Sequence, residues 1–250
     1  MSTDKLPRQP SRLQTNHVRY LRWAAFASFT PLISFAMSCS FGKLPWPDSG
    51  GSGREQLDYA LKNYCAEWQA WLWFVQIAAT TFILLVFATV YLQRAGRLTL
   101  PGLTLTGFAA ASMGSGIITG VTFLVIGQLG RGYPGYGADP WELGTVETLW
   151  LLTNAFATVT SMSLGLAFIA LMFANRADPV LPIRLTHWGA VIAATVTIGW
   201  NSISMLFITS GLFSPSSFGS AMFTYGAVLF WIMAIGGALL YRSREPALSR

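Results

Sequence analysis

Six long apolar stretches restrict this chain more than any other feature. They run from Trp23 to Phe41, Trp68 to Leu92, Leu103 to Leu129, Thr148 to Phe173, Trp188 to Phe213 and Phe218 to Tyr241. Each is close to or above the roughly 20 residues that cross the hydrocarbon core of a bilayer. In lipid every backbone N–H and C=O needs a partner within the protein, and these stretches are too long for barrel strands, so each is expected to be a helix. The expected fold class is therefore an all-α integral membrane protein, a bundle of six transmembrane helices over residues 23–241. A basic tail (1–22) precedes the bundle, a short tail (242–250) follows it, and residues 42–67 form the longest outer loop.

Composition agrees with that solvent. Of the 250 residues 53% are hydrophobic and 10% charged, whereas soluble domains carry about a quarter charged residues. The net charge of +6 does not point to nucleic acid, because the basic residues are scattered through tails and short links rather than gathered in a patch. Twelve of them (Lys5, Arg8, Arg12, Arg19, Arg22, Arg94, Arg97, Arg176, Arg184, Arg242, Arg244 and Arg250) fall on one side of the expected membrane, and Lys43, Arg54, Lys62 and Arg131 on the other. The positive-inside rule then places both termini in the cytoplasm, in a plasma membrane of bacterial type. A cleaved signal peptide ending near Ser38–Ser40 is the competing reading of the first stretch. The stretch is long for a signal, and Ala36-Met37-Ser38 before Cys39 is a poor lipoprotein cleavage site.

The sequence lacks the residues that familiar intramembrane chemistry requires. Only His17 and His187 are present, too few for a bis-histidine haem or a histidine-rich di-iron site. No lysine lies in a span, every aspartate lies outside the spans, and no GxSxG elbow occurs. The glycine-rich segment 130–144 has no GxxxxGK[ST] pattern and reads as turns with interfacial aromatics, Tyr133, Tyr136 and Trp141. No cofactor, metal ligand or catalytic residue is assigned.

Polar side chains inside the spans carry what functional signal there is. In the fourth stretch Glu147, Asn154, Thr158, Ser161 and Gly165 share one helix face. In the second, Gln69, Gln76 and Thr80 do the same, with Trp73 beside them, and in the fifth Thr197, Asn201 and Ser204 align, with Trp200 adjacent. Such stripes face protein or water rather than lipid. The expectation is a shared cavity lined by Gln76, Thr80, Glu147, Asn154, Thr158, Trp200 and Asn201, with Glu147 at its outer mouth. The competing account is that the carboxamides only hydrogen-bond helices together, for about 0.6 kcal/mol each.

Two further features concern packing. Ser112, Gly116 and Gly120 form a small-xxx-small ladder in the third stretch, suited to close helix contact within the chain, or to a seam with a membrane partner or a second copy. Cys39 and Cys65 flank the outer loop. On an oxidising face they can form a disulfide closing about 25 residues, worth on the order of 3 kcal/mol; the alternative is two free buried thiols. Within the loop, Leu57, Leu61 and Tyr64 recur at helical spacing, which predicts a short amphipathic helix on the membrane surface.

Three functions are compatible with this pattern. The first is a non-catalytic membrane subunit or a protein binding a lipid-like molecule, its aromatics lining the apolar part of the pocket. The second is a small-solute transporter or channel with a polar path along the second, fourth and fifth helices. The third is a membrane enzyme acting on lipid, with Glu147 as base and Asn154 positioning substrate.

Overall fold

The computed structural model describes residues 12–41, 47, 51–208 and 222–242, whose regular structure is helical, with no strand among them. The helices are α1 (Arg12–Ala27), α2 (Thr30–Phe41), α3 (Gly53–Leu61), α4 (Cys65–Ala95), α5 (Leu100–Gly132), α6 (Pro140–Ala177) and α7 (Ile183–Ile192). After α7 the rod winds through a π-helical segment, Ala193–Trp200, into α8 (Asn201–Phe207). A second π segment, Met222–Gly226, leads into α9 (Ala227–Arg242).

Among the described residues, four helical stretches are long and apolar enough to cross a membrane: α4, α5, α6 and Phe223–Tyr241. The first expected span is divided. Pro31 has no N–H to donate and its ring crowds the preceding turn, so α1 closes at Ala27 and α2 begins at Thr30. The break is held by the Ser28 hydroxyl, which donates to the Ala25 carbonyl at 2.6 Å. The fifth stretch is helical from Ile183 to Phe207 but changes winding midway, and its last residues fall outside the described part.

Local chemistry sets the helix ends. Thr99 accepts from the Gly102 N–H at the start of α5, and Pro101 sits where its missing N–H costs nothing. At the start of α6, Glu142 reaches back to the Asp139 N–H in a capping box, and Ser52 and Glu55 build the same box for α3. Helix α4 ends at Gly96 in the left-handed region (φ 64°), a conformation open to glycine without penalty.

Helix α4 is the centre of the bundle, packed against α1, α2, α3, α5 and α6. Of its most apolar window 61% is buried, against 39% for α5, which lies at the periphery. The main core gathers Phe87, Leu105, Phe168, Leu171, Ile232 and their neighbours. A smaller cluster around Leu57, Ala66, Ile126 and Trp150 lies beneath α3. The outer faces are apolar as well: Phe82, Ile117, Val121, Leu151, Val159 and Phe230 are all exposed mid-helix.

Helix α3 departs from the expected surface helix. Gln56, Leu57, Tyr59 and Ala60 are buried, and the helix packs across the ends of α5 and α6. The Arg54 guanidinium donates to the Gly137 carbonyl, and Arg131 pairs with Glu67 while stacking 4.3 Å over the Tyr64 ring. The expected loop 42–67 is accordingly shorter: Cys65–Glu67 already belong to α4. At the opposite end of the bundle, Arg94 grips Asp178 with two bonds of 2.5 and 2.7 Å, tying α4 to the end of α6.

Candidate functional site

Between α4, α5, α6, the start of α8 and the second π segment, with Phe35 of α2 and Tyr59 of α3 also on its wall, lies a cavity of about 120 Å³. Five residues of the expected polar stripes meet on its wall: Gln69 and Gln76 from α4, Asn154 and Thr158 from α6, and Asn201 directly after the first π segment. A π turn inserts one residue into the α-helical register and re-aims the side chains that follow. The second such turn supplies Thr224 and Tyr225 to the wall, and the first ends directly before Asn201. Aromatic rings supply much of the remaining surface. Trp150 meets Phe123 edge-on at 5.6 Å and Tyr59 at 6.2 Å, and Trp73 meets Tyr225 at 5.3 Å.

The polar atoms on the wall divide into two groups. Several are committed to protein partners. The Trp73 indole N–H donates to the Gly116 carbonyl at 2.8 Å, the Tyr225 hydroxyl to the Ala157 carbonyl at 3.1 Å, and the Asn201 amide to the Thr197 carbonyl at 2.9 Å. Three others are buried without a partner: Gln76 Nε2, Asn154 Nδ2 and Trp150 Nε1. All three belong to residues of the wall, and Gln76 and Trp150 are each 4% exposed. Leaving a buried donor unmet costs about 1–3 kcal/mol, so three around one space is a concentrated deficit. Among the described residues, no acidic or basic side chain lines the cavity.

Three of the residues expected in the cavity, Glu147, Thr80 and Trp200, stand elsewhere. Glu147 accepts a 2.8 Å hydrogen bond from the Gly53 N–H, at the positive N-terminal end of α3, and does not line the cavity. Thr80 is buried beside a separate apolar void between Leu84, Phe168 and Ile232. Trp200 packs edge-on to Phe223 at 5.3 Å and is also absent from the wall.

The small-residue ladder is used inside the chain. Ser112 donates to the Thr160 carbonyl of α6 at 3.3 Å. A Cβ on Gly116 would fall 2.9 Å from Ile77, and one on Gly120 2.5 Å from Phe74, so α5 approaches α4 as closely as glycine permits. Gly120 in addition forms part of the cavity wall. Cys65 is a buried free thiol in hydrogen-bond contact with Tyr59, and the side chain of Cys39 lies outside the described residues.

Sequence reasoning passed over Tyr59, Thr119, Phe123, Thr153 and Tyr225 as lining residues. Thr119 and Gly120 follow the ladder by periodicity. Tyr59 and Tyr225 had no such signal, because a folded-back loop helix and a π turn bring them in.

Comparison of the chain with protein-family models, with curated proteins and with solved structures gives no match.

Proposed function

We propose that this chain is a multi-pass plasma-membrane protein that binds a small hydrophobic molecule with a polar end in the cavity between α4, α5 and α6, and that it acts as a binding protein or non-catalytic subunit rather than an enzyme. The α1–α2 pair and the rod Ile183–Phe207 serve as the first and fifth of six spans. At about 1.5 Å per residue, the 25-residue rod is long enough for a hydrocarbon core of roughly 30 Å. Both termini then lie on the cytoplasmic side, with Arg94 and Asp178, while α3 closes the outer end. The exposed apolar side chains at mid-helix support a lipid surround, since soluble monomers rarely expose contiguous apolar patches beyond a few hundred Å².

One observation carries the reading: a cavity within the bundle is lined by aromatic residues and by three residues, Gln76, Asn154 and Trp150, each holding a buried donor with no protein partner. Ligand sites combine these properties, an apolar concavity with a few polar groups that fix orientation. Any association through α5, with a partner or a second copy, would use its outward face around Gly107 and Gly114, because the ladder face is occupied.

Native mass spectrometry of protein gently extracted from its own membrane, with lipidomics on the same sample, tests the proposal. A defined species in fixed ratio is expected, and it should be lost from an Ala157→Phe variant that fills the cavity. A bare, monodisperse protein, or a species retained by the filled variant, contradicts the assignment.

A further inference from the structure

The chemistry of the wall narrows what the cavity takes, on the reading that it is a ligand site. Three buried atoms of wall residues lack a protein partner, and all three are donors: the amide nitrogens of Gln76 and Asn154 and the indole nitrogen of Trp150. An indole has only a donor to offer, so Trp150 Nε1 is met only by an acceptor. A ligand whose polar groups only donate, such as an ammonium, leaves that deficit in place, and any oxygen acceptor removes it. Anions accept hydrogen bonds well, but a buried anion needs a compensating cation, and among the described residues none lines this space. The Arg131 guanidinium is engaged with Glu67 and Tyr64 outside the wall. The acceptor is therefore uncharged.

Size sets the second limit. An apolar cavity of about 150 Å³ holds a benzene ring. The 120 Å³ here suits one ring or a short acyl ester, not a whole lipid. Trp150, Phe123, Trp73 and Tyr225 present ring faces and edges to the same space, which favours a flat apolar body.

We propose that the cavity binds an uncharged, acceptor-bearing group about one ring in size, a ketone, quinone or ester carbonyl, whose oxygen is received by Trp150 Nε1, Gln76 Nε2 and Asn154 Nδ2. Quinone-type rings and lipid ester linkages share this chemistry, and both are hydrophobic enough to arrive through the bilayer.

Fluorine NMR of the full chain in detergent tests the assignment, with empty micelles as reference. The probes are p-fluoroacetophenone, p-fluoroethylbenzene, which has nearly the same shape without the oxygen, and a fluorinated aliphatic ester. The ketone is expected to bind at least threefold more tightly than the hydrocarbon. Trp150→Phe, which keeps a ring and removes the donor, should weaken the ketone about three- to tenfold and leave the hydrocarbon unchanged. Asn154→Leu serves the same purpose should Trp150→Phe fail to fold. A preference for ketone over ester supports a planar ring as the natural group, and the reverse preference supports an acyl ester. Equal binding of ketone and hydrocarbon, or equal weakening of both by the variant, overturns the acceptor assignment while leaving a hydrophobic site in place. Exclusion of all three probes overturns the site itself.

Discussion

Two sets of buried amides in this bundle were treated in opposite ways. Asn175, near the end of α6, is fully buried and makes five hydrogen bonds. Its Oδ1 accepts from the Tyr91 hydroxyl at 2.7 Å and from the N–H groups of Val180 and Leu181, and its Nδ2 donates to the Leu181 carbonyl and the Thr186 hydroxyl. Gln76 and Asn154, toward the α3 end, each leave an amide nitrogen unmet in a cavity. The same functional group closes a turn in one place and leaves bonding capacity open in the other. A buried carboxamide in a membrane-type helix therefore indicates function only when its partners have been counted. Asn175 is structural by that count, and the cavity amides are not accounted for by structure alone.

The largest expected effect tests the structural side of this contrast. Asn175→Leu removes the acceptor of three buried donors, each costing about 1–3 kcal/mol when unmet, so a loss of about 3 kcal/mol or more is expected in reversible unfolding in detergent. A loss below about 1 kcal/mol would show that the hub is not what closes the α6–α7 turn. Next comes Glu147→Ala, which removes the anionic acceptor at the start of α3 and should cost about 1 kcal/mol. The damage should be local, seen as faster hydrogen exchange at Gly53–Gln56 with α5 and α6 unaffected.

The third substitution should act with the opposite sign. Gln76→Leu replaces an unsatisfied buried amide by hydrocarbon, and stability is expected to stay level or rise by up to about 1 kcal/mol. If Gln76→Leu destabilises the protein as much as Asn175→Leu, the distinction between the two sets fails and the cavity amide is helix glue. The smallest effect belongs to Arg94→Ala. Its ion pair with Asp178 is more than a third exposed on both sides, so solvent screening should hold the loss below about 1 kcal/mol and high salt should erase it.

What could be read in advance follows from how local each signal is. The capping boxes at Ser52–Glu55 and Asp139–Glu142 lie within four residues and are legible as spacing, although hydropathy draws attention past them. The break between α1 and α2 follows from Pro31 alone. The buried placement of α3 does not follow from its own residues. Leu57 and Leu61 suit a lipid surface as well as a protein one, and what decides between them is the position of α5 and α6, together with Glu147 at the helix N-terminus.

The stripe residues show the same division. A period of 3.6 residues places Asn154 and Thr158 on one face of α6, and Gln76 and Thr80 on one face of α4, wherever those helices lie. Periodicity within one helix cannot say which part of a stripe meets which part of its neighbour. That depends on crossing geometry, and here also on two π turns that shift the register of Asn201 and Tyr225. So Gln76, Asn154, Thr158 and Asn201 converge, while Thr80 sits by a separate void, Glu147 caps α3 and Trp200 packs on Phe223. By itself the sequence determined the helices and the polar side each one carries, because both are properties of a single segment and its solvent. Tertiary structure alone decided that three residues with unmet donors would line one cavity, because burial and hydrogen-bond partners are properties of segments brought together.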